Sequence, residues 1–231
     1  MADHCLLYYI TDQSQFRGDE RARRRALLDK ISEAAQAGVN YIQLREKNLS
    51  ARELETLARD ALTVMRHSSA LRTENREPRT GPPVRTRLLI NSRTDVALAT
   101  GADGVHLRSD DVAAHEVHQV LEGAHQPLNT DHFLVAVSCH TAVDLHRAES
   151  EKVDFAVFAP VFGKNGARGT PPAGLAALHE ACQAKIPIFA LGGITIENAA
   201  SCLKAGAAGV AGIRLFQENK IEEVVRALRS L

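Results

Sequence analysis

A single (β/α)8 barrel is the fold class that this sequence predicts, and three observations carry the prediction. Segments such as FAVFAPV and PIFALGG are apolar without alternation, as expected of parallel strands covered on both faces. One unit also recurs: AAQAGVNYIQLRE (34–46), ALATGADGVHLRS (97–109) and CLKAGAAGVAGIRL (202–215) each pass from an Ala-rich helix end through Gly to an apolar strand. Gly38, Gly101 and Gly206 fall where a helix C-terminus takes a left-handed residue, which Gly adopts without strain. Finally, eight strand–helix pairs fit within 231 residues, the size of a compact barrel. An open doubly wound sheet is the alternative, but its Gly-rich phosphate fingerprint is missing from the first strand–helix turn.

In chain order, the expected strands are 6–11, 41–46, 87–91, 104–107, 133–139, 155–161, 187–191 and 209–213. Helical periodicity falls between them at 21–37, 51–67, 93–100, 111–122, 141–151, 173–184, 195–205 and 219–230. The RARRR cluster at 21–25 reads as the solvent face of the first helix, which continues through ALLDKISEAAQAG. SSALRTENREPRTGPPVRTR (68–87) has no periodicity. The whole chain, 1–231, is therefore one barrel domain, with 68–86 a polar surface insertion on the face away from chemistry.

Composition narrows the function. Twenty-eight basic residues balance twenty-eight acidic ones, which argues against nucleic acid or an anionic membrane as the main partner. No run approaches the roughly twenty apolar residues of a membrane helix. The N-terminal MADHCLLYYITD lacks the marks of a signal peptide. Cys5, Cys139, Cys182 and Cys202 are widely spaced, as in a reduced cytoplasmic protein without a zinc or disulfide framework. Cys139 precedes His140, but adjacent strand residues face opposite ways, so its thiol is expected to face the helical layer.

Barrels of this class do chemistry at the C-terminal ends of their strands, and polar residues gather there. Strand two ends with Gln43, Arg45 and Lys47 on one face and Leu44 on the other, three donors suited to an anionic ligand. Charged loop residues are the bland alternative, which is strongest for Lys47; Gln43 and Arg45 on the inward face are costly unless paired. Strand seven ends ALGGIT, where Gly192 and Gly193 let backbone N–H groups approach an anion. Strand eight ends Gly212-Ile213-Arg214. Together these two turns read as a phosphate-monoester site. Strand five ends Ser138-Cys139-His140-Thr141, and an imidazole there is suited to proton transfer or, equally, to a supporting role. After strand six, Lys164 and Arg168 among Gly163, Gly166 and Gly169 make a cationic lid loop. His106, midway along strand four, reads as a core histidine. Strand three runs into Asn91-Ser92-Arg93, and strand four into Arg108-Ser109-Asp110-Asp111.

The segments YYITD, YIQLREK, LLIN…DVALATGADGVHL…DD, VSCHT, FAVFAPVF and IFALGGITIENAASCLKAGAAGVAGI resemble the thiamine phosphate synthase family, which includes the thiazole tautomerases. The likeness runs nearly end to end and implies the same barrel. It implies ligand-binding roles for Gln43, Arg45, Lys47, Asn91, Ser138, Gly192, Gly193 and Ile213. A synthase of the family joins a pyrimidine pyrophosphate to a thiazole phosphate with loss of pyrophosphate, using magnesium. The departures fall on that metal. Ser92 replaces an Asp, Arg108-Ser109-Asp110-Asp111 replaces Gly-Gln-acid-Asp, Gly163-Lys164-Asn165-Gly166 replaces Thr-x-Thr-Lys, and Arg214 replaces a Ser.

Because magnesium prefers hard carboxylate oxygens, the sequence reading favours a metal-independent, tautomerase-type proton transfer on a phosphorylated thiazole, with no cofactor required. His140 is its acid/base and Ser138 its neighbour. Gln43, Arg45, Lys47, Asn91, Arg93, Lys164, Gly192, Gly193, Ile213 and Arg214 hold the ligand. The alternative is a magnesium-dependent synthase in which Asp111 retains the ion; a third reading is a non-catalytic binder of thiazole or thiamine phosphate. The resemblance further implies a homo-oligomer.

Overall fold

The computed structural model describes residues 5–74, 85–123, 132–163 and 171–231. Eight parallel strands close into a barrel in the order β1 to β8, with β8 paired back onto β1. The strands are β1 (Leu6–Ile10), β2 (Tyr41–Leu44), β3 (Arg87–Asn91), β4 (Gly104–Leu107), β5 (Leu134–Cys139), β6 (Phe155–Phe158), β7 (Ile188–Ala190) and β8 (Gly209–Gly212). The helices are α1 (Glu20–Ala37), α2 (Ala51–Glu74), α3 (Thr94–Thr100), α4 (Ala114–Gly123), α5 (Ala142–Ser150), α6 (Gly174–Ala181), α7 (Ile196–Lys204), α8 (Arg214–Gln217) and α9 (Ile221–Arg229).

Period-two alternation divides the apolar residues into two cores. Leu7, Tyr9, Ile42, Leu44, Val105, Leu107, Val135 and Cys139 point outward into the layer between strands and helices. This is the orientation expected for Cys139, whose thiol burial pushes up to about 12. Tyr8, Ile10, Leu89, Leu134, Ala136, Phe155, Val157, Phe189 and Ala211 fill the barrel itself. In that interior the rings of Tyr8, Tyr41, Phe155 and Phe189 meet with centroids 4.9 to 6.0 Å apart. Such contacts add about 0.5–1.5 kcal/mol each beyond area burial. The barrel interior is thus a packed plug, with a cavity above it at the strand C-termini.

The three recurring glycines do terminate their helical turns, at φ 83° (Gly38), 68° (Gly101) and 106° (Gly206). Several boundaries fall a few residues from expectation, and two differences are larger. Helix α2 continues to Glu74, seven residues into the segment read as an insertion; Ser68 is buried there against Ser32 Oγ at 2.8 Å. Packing of α2 on α1 outweighs a weak local helical signal. The rest of that insertion, over 75–84, lies outside the described residues. An additional short helix, α8, precedes the expected final helix, which is α9, with Glu218–Lys220 between them.

Where strands cross most closely only Gly fits. A Cβ on Gly209 would lie 2.1 Å from the Leu6 carbonyl oxygen, and one on Gly104 would lie 2.2 Å from that of Leu134. Gly209→Ala is therefore expected to cost about 3 kcal/mol or more, at the severe end for a point substitution. Gly123→Ala meets nothing within 4 Å and is expected to be neutral or stabilising by up to about 1 kcal/mol. Urea unfolding of the two variants measures the contrast.

Candidate active site

A cavity of about 430 Å³ opens at the C-terminal ends of the strands, large enough for a ligand of drug size. Every strand end contributes: Ile10, Gln43 and Arg45, Asn91, His106 with Arg108–Asp110, Ser138 and His140, Ala159–Pro160, Leu191–Ile194, and Ala211–Leu215. Three arginines, Arg45, Arg108 and Arg214, stand against one lining carboxylate, Asp110. An anionic ligand suits that balance.

These arginines are not equivalent. Arg108 is folded onto its own turn: its backbone N–H donates to Asp111 at 2.7 Å, and its guanidinium reaches Asp111 at 3.4 Å and Asp110 at 3.1 Å. Neither Arg45 nor Arg214 forms a carboxylate ion pair within 4 Å among the described residues, although Asp12 and Glu46 lie within the electrostatic reach of Arg45. Arg45 stands at a stiff corner. Its backbone N–H donates to Thr11 Oγ, which in turn donates to Glu46 at 2.6 Å. Glu46 also accepts the Gln13 N–H at 2.9 Å. Burial raises the Glu46 pKa, opposed by the hydrogen bonds from Thr11 and Gln13. This braced β1–β2 corner presents a guanidinium that acts on Asp12 and Glu46 through space but forms no ion pair with either.

Gly192 and Gly193 have φ of 99° and 63°. A Cβ on the first would lie 2.8 Å from Pro160 Cα, and one on the second 2.9 Å from the Gly163 carbonyl. The turn is therefore bare backbone, bounded by the loop after β6 and set ahead of α7, which Thr195 and Asn198 cap reciprocally. Ile213 and Arg214 lie across the same cavity. At the end of β5, His140 Nδ1 donates to the Ala159 carbonyl at 2.7 Å, so in the neutral ring Nε2 is an acceptor.

Of the residues the sequence singled out, the cavity brings together Gln43, Arg45, Asn91, Ser138, His140, Gly192, Gly193, Ile213 and Arg214. Three fall outside its lining: Lys47, Arg93 and Asp111, the last of which is turned to Arg108. Lys47 is exposed beyond the strand end, because β2 ends at Leu44 and alternation no longer holds its direction. Arg93 is bonded to Asp95 at 2.8 and 2.5 Å on the surface; a carboxylate two residues away captures it. Lys164 and Arg168 lie outside the described residues. The sequence reads His106 as a core histidine. It is buried, yet it reaches the cavity floor and lies 2.8 Å from Ser138 Oγ. The signal was present in GVHL: Val105 and Leu107 face the helices, so His106 must face inward.

The magnesium that the family resemblance implies can be tested against these donors. Among the described residues no three His, Cys, Asp or Glu side chains converge to hold an ion. The residue after Asn91 is Ser92, whose hydroxyl accepts from Asn91 at 2.9 Å. Asp110 and Asp111 remain, both bonded to Arg108. They supply the hard oxygens magnesium takes when substrate phosphates complete its shell. The pair fits an ion arriving on a pyrophosphate, not one held by the protein alone.

Burial, and secondarily the charge of Arg45, pushes the His106 pKa down to about 3 from 6.5. The unfolded chain therefore binds a proton that the folded one refuses between those values. This contribution to stability is complete above about pH 6.5 and declines as pH falls toward 3, by at most ~1.4 kcal/mol per pH unit. Urea unfolding from pH 7.5 to 4.5 should show wild type losing more stability than His106→Gln over that range.

A family profile described as thiamine monophosphate synthase matches residues 7–216. A Geobacter sulfurreducens protein named putative thiamine-phosphate synthase is 37% identical over 228 residues, covering 97% of this chain and 93% of that protein. The thiamine-phosphate synthase of Roseiflexus castenholzii is 33% identical over 210 residues, covering 90% and 79%. Among solved structures, thiamine phosphate pyrophosphorylase from Pyrococcus furiosus superposes with a TM-score of 0.74 at 24% identity, over 97% of this chain and 94% of that one. That last likeness concerns the fold. The relatives carry the synthase name, which overturns the expected tautomerase-type proton transfer. That expectation treated loss of the carboxylate beside Asn91 as decisive, whereas magnesium on a pyrophosphate needs only one or two protein carboxylates.

Proposed function

The chain belongs to the thiamine monophosphate synthase family, and we propose that it is a working synthase, a transferase joining hydroxymethylpyrimidine pyrophosphate to thiazole phosphate with release of pyrophosphate. In that reaction the bond from the pyrimidine methylene carbon to the pyrophosphate oxygen breaks, and the oxygen keeps the electron pair. The thiazole nitrogen lone pair forms the new bond to the same carbon. No proton leaves carbon at this step, so His140 is not required as an acid or base. The expectation that no cofactor is needed lapses with the isomerase reading.

The observation that carries the proposal is Arg45: it lines the cavity from a backbone braced through Thr11 and Glu46, and it forms no carboxylate ion pair within 4 Å among the described residues. A fixed cation that meets developing negative charge stabilises the transition state without reorganising. In this reading Arg45 and Gln43 take the pyrophosphate, and the bare Gly192–Gly193 turn takes the thiazole phosphate with Ile213 and Arg214. Asn91 and Ser138 orient the ligand from β3 and β5. Asp111, with Asp110, would hold magnesium once Arg108 exchanges its carboxylates for a phosphate. The ion, when bound, neutralises charge on the leaving group.

No helix among the described residues is long and apolar enough to cross a membrane. The free cysteines accord with the proposed cytoplasmic location, and a homo-oligomer is carried over from the resemblance.

Incubation with both substrates and magnesium should yield thiamine phosphate and pyrophosphate in equal amounts; if neither forms, the reading is wrong. Arg45→Ala is expected to lower kcat/KM about a hundredfold, ~2.7 kcal/mol, while His140→Gln changes it less than about tenfold. Calorimetry should register magnesium binding only when pyrophosphate is present, and Asp111→Ala should abolish it. Saturable binding of magnesium alone would contradict the assignment of the ion to the substrate.

A further inference from the structure

Tyr8 and His106 have no part in the chemistry above, yet they occupy the centre of the barrel directly beneath it. Tyr8 is fully buried among the rings of Tyr41, Phe155 and Phe189. A phenol in such a place must find partners for its hydroxyl. It has two. The Gln43 side chain hydrogen-bonds it, and its oxygen lies 3.0 Å from His106 Nδ1. His106 Nε2 in turn lies 2.8 Å from Ser138 Oγ. The chain Gln43–Tyr8–His106–Ser138 thus runs through β2, β1, β4 and β5, and both of its ends line the cavity.

Donor and acceptor counting, taken together with the ligand, gives this chain a direction. Gln43 can turn either its amide N–H or its carbonyl toward Tyr8, so two opposite senses satisfy the chain. An anionic ligand at Ser138 has only acceptors to offer, which selects the sense in which the Gln43 N–H donates to the Tyr8 oxygen. Tyr8 then spends its single proton on His106 Nδ1. A neutral imidazole accepting at Nδ1 carries its proton on Nε2 and donates it to Ser138 Oγ. With that acceptor position filled, the Ser138 proton has no partner among the described residues and is left for the ligand.

We propose that Tyr8 and His106 are positioning residues that hold Ser138 as a hydrogen-bond donor toward an anionic oxygen of the ligand. A serine free to rotate would offer a lone pair to that oxygen as readily as a proton. The relay removes that unfavourable state before binding, so the site meets the anion preorganised. The inference rests on the reading that this cavity holds a phosphorylated ligand.

Two measurements on the full chain test it. Nitrogen NMR of histidine-labelled wild type at neutral pH should find His106 protonated on Nε2; protonation on Nδ1 overturns the proposal and needs neither ligand nor variant. The second is titration with inorganic pyrophosphate. Ser138→Ala and His106→Leu should each weaken binding about tenfold, in the range for hydrogen bonds to charged groups. Tyr8→Phe, which keeps the ring, should weaken it about threefold or more. His106→Gln, which retains one acceptor and one donor, should stay within about threefold of wild type. Because Tyr8 acts through Ser138, the double variant Tyr8→Phe/Ser138→Ala should bind no more weakly than Ser138→Ala. Additive losses would overturn the relay. Failure of wild type to bind pyrophosphate at all would count against the synthase reading, whatever tautomer the spectra report.

Discussion

The architecture depends on the closure of β8 onto β1, where Leu6, Leu7, Tyr8 and Tyr9 pair with Gly209 through Gly212. This register demands backbone in near contact, and Gly209 is the residue that permits it. Closure fixes which side chains face the axis: once β1 is locked, Tyr8 must point into the barrel and Tyr9 into the helical layer. Tyr9 there donates to Gln217 at 3.2 Å, and Gln217 also accepts the Asp12 N–H at 2.8 Å. One pairing thus sets the interior plug and ties the β1 rim to α8.

Above that plug, function follows from what each cation can pair with locally. Arg93 and Arg108 have carboxylates within three residues of their own positions and are absorbed by them. Arg45 has Glu46 beside it in sequence and Arg214 has Glu218 four residues on, yet neither forms an ion pair among the described residues: Glu46 is turned to Thr11 and Gln13, and both arginines line the cavity. Charge count along the chain does not separate these cases; local partners do. The same logic explains why the acidic turn after β4 looks like a metal seat in sequence and like an internally neutralised turn in three dimensions.

Much of this was legible beforehand because it rests on periodicity. Strand alternation placed Gln43 and Arg45 inward and Cys139 outward, and the helix-ending glycines marked the repeat of the fold. Strand existence was plain, while strand ends were less so: β2 ends at Leu44 rather than at residue 46, and Lys47 falls outside the site. The helical extension to Glu74 was not legible, because packing against α1 rather than local propensity maintains it. His106 was visible as an inward residue, but its partners Tyr8 and Ser138 lie 98 and 32 residues away. Contacts of that range need the closed barrel. The reaction was not legible, because the departures at Ser92, in the 108–111 turn and in the 163–166 loop carry a weight that depends on what the substrate brings with it.

The bare turn at Gly192 and Gly193 has a consequence for how such a site diversifies. Neither position has room for a side chain, since Pro160 crowds the first and Phe162 and Gly163 crowd the second. Mutational drift there is closed, and the recognition it provides is inherited as backbone shape. Divergence in ligand choice must then accumulate on the facing β8 rim, where Arg214 is exposed and without a carboxylate partner among the described residues. Lineages descending from this sequence would keep one half of the pocket frozen while the other half explores.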